Sequence, residues 1–460
     1  MKGNQAVPFH SFKGFPRCVT MTCNSNGFDL NSCRISSSGL KFAFPFISLF
    51  LFLLVIYGNS LNGAWQFDDE PNIVNNKSVH LKSLDRKSIV TTFYGFEQKK
   101  ISRPVAYFSF GLNYFFGGLN VFGYHLVNLI IHFLAAIFLF LFVYRTLNLP
   151  RLQTDYGSVS YPIALMTAFF WAVSPLQVTA VTYIVQRMAS MAGLFYIMSM
   201  YFYLLGRTTD VRGKKIIFFL LSAMNAALAM GTKENAFMIP VSLYLYDLIL
   251  IQDLNRENLI RNIKYFIFPA AIAASLVLVF YFDILSIAGS YSDRPFSLTE
   301  RLLTEPRVIL YYVSLLLYPN YGRLTLTHDF IVSRSLLDPW TTGPAILIIL
   351  ACLGFSLWLA KRKPLIAYCI IFFFLNHLIK GSFIPLELVY EHRNYIPSIL
   401  FFLLFSMLII HLLNYFSYKR IIKFMITSLI CFILMALGHT VSMYNFIFKS
   451  PYILWSDTIV

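Results

Sequence analysis

Charge is what this sequence has least of. Only 13% of its 460 residues are charged, against roughly a quarter in soluble domains, and 57% are hydrophobic, so a soluble globular chain is excluded. Acids are scarcer than bases, 21 against 37, for a formal charge of +16. The basic residues fall in short clusters between apolar segments, the pattern of membrane-protein loops rather than of a nucleic-acid-binding face. No nucleic-acid partner is expected. The six cysteines give neither a disulfide framework nor metal-ligand spacing, since Cys18, Cys23 and Cys33 lie in a polar N-terminal stretch and Cys352, Cys369 and Cys431 within apolar runs. No small-residue cleavage site follows the first apolar run, which therefore reads as an anchor, and no 34-residue repeat period is visible.

What is present is apolar length. Runs able to cross ~30 Å of hydrocarbon occur near 40–61, 122–146, 161–179, 188–206, 216–232, 235–252, 265–287, 343–360, 364–380, 397–416 and 421–444. The fold class is thus an all-α polytopic membrane protein, a bundle of about eleven transmembrane helices. A further run at 306–319 is Pro-bounded and short, which suits an interfacial or re-entrant segment. Residues 1–39 read as a disordered cytoplasmic tail, 40–450 as the membrane domain and 451–460 as the start of a further region that is truncated or absent.

Basic short loops belong on the cytoplasmic side. Eleven crossings place all three of them there: Arg207 to Lys215, Lys361 to Lys363 and Lys419 to Lys423. A large first loop, 62–121, then lies on the extracytoplasmic side. That same side receives Asp68, Asp69 and Glu70, then Arg103, Gln186 and Arg187, Lys233 and Glu234, His328 and Asp329, and Glu391, His392 and Arg393. Five loops would supply one surface.

Each cluster has a plain structural reading beside the chemical one. FDDEPNIVNN can be a solvated turn; equally, an acid just beyond the membrane edge can act as general base toward a hydroxyl, and three acids in a row offer a divalent-cation site. Lys233 and Glu234 can be an exposed turn pair and Gln186 with Arg187 a snorkelling pair, yet either cation can hold a phosphate. Arg393 can anchor at the interface or clamp an anion, and His328 with Asp329 can be solvated loop. His125, Asn128 and His132 share one helix face and read as helix–helix hydrogen bonds, as does Asp247 near its helix end.

The phrases FDDEPNIVNNKSV, SRPVAYFSFGLNYFFGGLNVFGYHLVNLIIH, PLQVTAVTYIVQRMASM, GTKENAFMIPVSLYLYDL, THDFIVSRSLLDP and YEHRNYIPS together resemble the membrane protein O-mannosyltransferases that carry transmembrane and tetratricopeptide-repeat regions. The resemblance covers roughly 60 to 450, in the order of that family. It implies a C-type glycosyltransferase (GT-C) fold that moves a sugar, mannose or another hexose, from a polyprenyl- or dolichyl-phosphate donor to a Ser or Thr hydroxyl of a protein at the extracytoplasmic face, with inversion. It maps the catalytic acidic motif onto Asp68 and Asp69, beside Glu70. Arg103, Arg187, Lys233 and Arg393 are then the candidate cations for the donor phosphate, supported by Gln186, Glu234, His328, Asp329, Glu391 and His392.

The family's repeats would begin where this sequence ends, at LWSDTIV, so a separate repeat-bearing partner is one expectation. The same residues also fit a glycan or lipid acceptor. From other classes, a non-catalytic scaffold and a lipid or solute transporter are the alternatives, the latter weakened by the lack of internal repeats. The expected setting is a bacterial inner membrane with a periplasmic site, or the endoplasmic reticulum in a eukaryote.

Overall fold

A computed structural model of the chain describes residues 37–95, 102–252, 254–264, 291–292 and 294–459. All regular structure among them is helical, and eight helices are long and apolar enough to cross a membrane: Ala43–Ser60, Val121–Leu147, Ile184–Thr208, Arg212–Met230, Glu234–Ile251, Thr342–Leu359, Pro397–Tyr415 and Arg420–Ile447. The protein is a polytopic all-α membrane protein. Of the three other expected runs, 161–179 falls in a pair of helices, Pro150–Ala172 and Pro175–Val181, bent by 55°. The run at 364–380 forms a shorter apolar helix, Pro364–His377, and 265–287 lies outside the described residues. So does nearly all of the 1–39 tail, while residues past 450 form a helix, Pro451–Ile459.

The segment at 306–319 departs from expectation. It belongs to a 20-residue helix, Leu298–Leu317. The helix starts early because Ser297 and Glu300 form a reciprocal capping box, which satisfies two N-terminal donors at once. Pro306 then forgoes a single backbone hydrogen bond within an otherwise continuous helix. Four charged residues, Glu300, Arg301, Glu305 and Arg307, set it apart from the spans.

The described residues of the 62–121 loop are largely helical rather than extended. Helices Arg86–Tyr94 and Pro104–Gly117 lie within it, the first capped by Asp85 accepting the Ser88 N–H at 3.0 Å, the second begun by Pro104 at a position where its missing N–H costs nothing. Asn120 then caps Val121–Leu147, whose 27 residues reach ~40 Å at 1.5 Å per residue.

Between Ser174 and Val185 the chain breaks into short helical turns at a buried level. Backbone groups there need partners from elsewhere, because neither lipid nor water supplies them. Asn128 donates to the carbonyls of Val181 and Ile184 at 3.0 and 3.3 Å, and Asp69 accepts the N–H of Val185 at 2.7 Å. His132 bridges Tyr395 Oη and the Ala172 carbonyl, each at 2.9 Å, and Asp247 pairs with Arg207 at 2.5 Å. Asn128, His132 and Asp247 hold helices together, in line with the structural reading of each, whereas Asp69, expected in a solvated turn or as a catalyst, is buried. Gly193 lets the Arg187–Thr208 helix press onto Tyr395; a Cβ there would stand 2.5 Å from the ring.

Candidate functional site

The acidic triplet is built by a turn. Asp69 N–H donates to the Gln66 carbonyl at 2.7 Å, and one Asp69 carboxyl oxygen accepts the Gln66 N–H at 2.9 Å. The other oxygen accepts Val185, so Asp69 is wholly buried and tied inward. Phe67, just before it, is forced to φ 27°, a left-handed conformation rare for a residue with a side chain. Asp68 consequently faces another way: its N–H donates to Tyr183 Oη at 2.7 Å, and its side chain lines a cavity of about 350 Å³. Glu70 is exposed and accepts Asn75 Nδ2 at 3.1 Å. Three consecutive acids thus occupy three environments and make no joint cation site; among the described residues no group of three or more His, Cys, Asp or Glu side chains converges to hold a metal.

The cavity gathers what the sequence scatters. Asp68, Arg103, Gln186, Lys233, His392 and Arg393, all singled out above, line it together. Lys233 Nζ donates to Gln186 Oε1 at 2.7 Å. Glu234 stands between two cations, 2.6 Å from Arg103 Nε and 2.8 Å from Lys380 Nζ. Arg393 gives two guanidinium nitrogens to the carbonyls of Leu388 and Glu387, at 2.9 and 2.6 Å, with its charge 5.3 Å over the Tyr390 ring.

Other expected residues stand elsewhere. Arg187 does not line the cavity. Its guanidinium is fully buried and spent on Asn128 Oδ1 at 2.5 Å, Asn113 Oδ1 at 2.6 Å and the carbonyls of Tyr124 and Ser109 at 3.0 and 3.3 Å, over the Phe110 ring. Glu391 is buried behind the wall, accepting Tyr444 Oη at 2.8 Å and the Thr325 N–H at 3.1 Å, with His328 Nε2 at 3.3 Å. Asp329 is exposed.

Among the lining residues that sequence reasoning did not single out are Tyr183, Arg294, Lys380, Glu387 and Tyr390. Lys380 ends an apolar run and Arg294 sits in a long loop, places where a cation reads as an ordinary anchor or solvated side chain. With them, five cations face the carboxylates of Asp68, Glu387 and Glu234, and Arg294 is ion-paired to Glu387.

The electrostatics follow from this crowding. Burial first, then Arg103, Lys380 and Arg393, push the Lys233 ammonium well below its ordinary value. Burial also depresses Lys380, and it depresses the His392 imidazole strongly, with Lys233 and Arg393 adding to the effect. Asp68 is raised by burial, against the Tyr183 hydroxyl, Lys233 and Arg103. Partly desolvated cations that repel one another form a site that a multiply charged anion would relieve, and a carboxylate with a raised pKa stands at its edge.

Comparison with known proteins finds relatives by sequence over part of the chain. The chain is 26% identical over 298 residues to the Protein O-mannosyl-transferase tmtc2 of Xenopus laevis, covering 60% of this chain and 34% of that protein. It is 30% identical over 244 residues to the human Protein O-mannosyl-transferase TMTC1 (50% and 26%). A third match, 25% over 224 residues, is to human Protein O-mannosyl-transferase TMTC4 (46% and 30%). The matched segments span about a third or less of these relatives' lengths. No family model matches, and no solved structure does. By sequence, then, the chain is similar over part of its length to proteins named protein O-mannosyl-transferases.

Proposed function

We propose that the protein is an inverting glycosyltransferase that moves a hexose, mannose by the names of its relatives, from a polyprenyl-phosphate donor to a Ser or Thr hydroxyl of a protein. The observation that carries this reading is that Asp68 shares one cavity with Arg103, Lys233, Lys380 and Arg393, a base beside an anion site in a membrane-embedded fold.

In this mechanism the Asp68 carboxylate accepts the proton of the acceptor hydroxyl while its oxygen attacks the anomeric carbon. The bond from that carbon to the phosphate oxygen breaks, and polyprenyl phosphate leaves with the electron pair. Negative charge grows on the phosphate during the step, so cations fixed beforehand around it stabilise the transition state more than the ground state. Burial raises the proton affinity of Asp68, which strengthens it as a base while Lys233 and Arg103 keep it ionisable. Glu234 holds Arg103 and Lys380 at fixed separation, and Gln186 orients Lys233. Asp69 acts through the turn it pins, as a positioning residue.

The cavity would face the extracytoplasmic compartment, the periplasm of a bacterium or the lumen of the endoplasmic reticulum, with the basic loops at the opposite end. Trp455 of the Pro451–Ile459 helix lies 5.6 Å from the Phe67 ring, so a tetratricopeptide-repeat partner joined through this segment would sit beside the cavity mouth, where acceptors arrive.

The test is transfer of radiolabelled mannose from a polyprenyl phosphate to Ser/Thr peptides by membranes containing the protein. Asp68→Asn is expected to lower transfer by about 10²–10⁴-fold. Undiminished transfer by that variant removes the base assignment. Labelling of glycan or lipid instead of peptide selects the alternative acceptors, and no transfer by correctly inserted intact chain favours a scaffold or transporter.

A further inference from the structure

A second cavity, of about 230 Å³, opens where Arg151, Asp155, Lys361, Arg362 and Lys363 meet. It lies at the other end of the bundle from the acidic loop, as chain direction shows. The Pro364–His377 helix begins at this cavity and, 14 residues later, some ~21 Å on, ends just before Lys380 of the first. The Val121–Leu147 helix runs the opposite way, from Tyr124, whose ring is 4.9 Å from Trp65, to a point just before Arg151.

Four cations face one carboxylate here. Lys363 Nζ is 3.4 Å from Asp155, and both side chains are more than half exposed, so that pair is weak. Arg151 is held in place through a single nitrogen, Nη1, which donates to the carbonyls of Ile249 and Gln252 at 2.8 and 3.1 Å. The result is a concave, preformed cation cluster with little counter-charge.

Its rim is apolar in a particular way. The Arg362 guanidinium lies 4.5 Å over the Trp358 ring, and Trp358 stacks on Phe355 at 5.8 Å. Both belong to the Thr342–Leu359 span, only 17% of whose window is buried within the protein; Leu350, Phe355, Leu357 and Trp358 are each more than half exposed. Exposed tryptophan beside arginine marks the level of the lipid–water interface, and basic pockets at that level bind anionic headgroups. A soluble anion would use the cations alone, whereas a phospholipid uses both the cations and the apolar face that continues from them. We propose that this cavity binds the phosphate of an anionic phospholipid headgroup, with the acyl chains lying along the exposed face of Thr342–Leu359. The site is separate from the sugar-transfer cavity and does not depend on that assignment.

The experiment uses the full chain purified in a neutral detergent, with phosphatidylglycerol, phosphatidylcholine and inorganic phosphate as probes, read by native mass spectrometry and by thermal shift. Three surface positions are changed together, Lys361→Gln, Arg362→Gln and Lys363→Gln, with Lys214→Gln plus Lys215→Gln as a control in another basic loop. The native chain and the control should prefer phosphatidylglycerol to phosphatidylcholine and be stabilised by it, and the triple variant should bind it about tenfold more weakly. Inorganic phosphate should neither displace the lipid nor reproduce the thermal shift. The proposal is overturned if the triple variant keeps the native preference, if the control loses as much, which would mean diffuse attraction, or if phosphate alone reproduces the shift, which would mean a soluble-anion site.

Discussion

Asp69 accepts the backbone N–H of Val185 at 2.7 Å across 116 positions of sequence, while Asp68, its neighbour, lines the charged cavity. Adjacent acids therefore do different work, and substitution should separate them. Asn at 69 offers one oxygen to two N–H donors and turns its own NH₂ toward the second. Asp69→Asn is expected to cost about 1–3 kcal/mol of stability, seen as a lowered unfolding temperature in detergent, with transfer falling in proportion to folded protein. Asp68→Asn should unfold near the native temperature and lose transfer. The opposite pattern would exchange the two roles.

The same residue gives stability a pH dependence. Burial, with Asp68 and Glu70 adding, pushes the Asp69 carboxyl up to about 8, against the two N–H donors that pull it down. The folded chain thus holds a proton that the unfolded chain releases near the ordinary carboxylate value of 3.8. This contribution is complete below about pH 4, erodes as pH rises and is gone above about pH 8, at up to ~1.4 kcal/mol per pH unit. Unfolding temperature should therefore fall between pH 6 and 8 in the native chain. Asp69→Asn should flatten that decline, and an equally steep decline in the variant would assign it to another group.

Cations of one type should separate as well. Lys233→Met and Lys380→Met each remove a charge from the cavity wall and are expected to lower transfer about 10²-fold with little change in unfolding. Arg187→Lys keeps the charge but loses the planar fork that reaches Asn113, Asn128 and two carbonyls, and should cost about 2–3 kcal/mol while transfer per folded molecule stays within a few-fold. Measuring transfer and unfolding on the same preparations distinguishes a phosphate ligand from a helix clamp. An Arg187→Lys protein that is stable and inactive would return Arg187 to the site.

These contrasts mark how far the sequence could be read. Apolar length located eight spans and a bent pair, because hydrocarbon thickness imposes a length that residues display directly. Asp68, Arg103, Lys233, His392 and Arg393 are legible because ionisable groups near the ends of apolar runs are costly without a purpose, and Gln186 because it adjoins Arg187. What was hidden depended on partners from distant segments. Arg187 and Lys233 look alike in sequence, each a cation at the edge of an apolar run; only the amides of Asn113 and Asn128 decide that one is buried while the other reaches the cavity. Lys380 went unseen because nothing local to LIKGSF announces Glu234.

The wall that carries Lys380 is itself braced from the Leu298–Leu317 helix. Arg301, fully buried, donates to the carbonyls of Lys380 at 2.7 Å, Ser382 at 2.9 Å and Leu386, and pairs with Glu305 at 2.6 Å. Eleven positions on, Tyr312 Oη donates to the Tyr390 carbonyl at 3.1 Å and accepts its N–H at 2.8 Å. The two grips hold both ends of 380–390, the segment that places Lys380, Glu387 and Tyr390 in the cavity. Tyr312→Phe removes the second grip and leaves the ring that stacks on His377 at 5.5 Å. It should cost about 1–3 kcal/mol. On the proposed mechanism the loosened wall would bear on the donor phosphate, so KM for the polyprenyl-phosphate sugar should rise several-fold at near-constant kcat, whereas a brace that serves only stability would lower the amount of folded enzyme and leave KM alone.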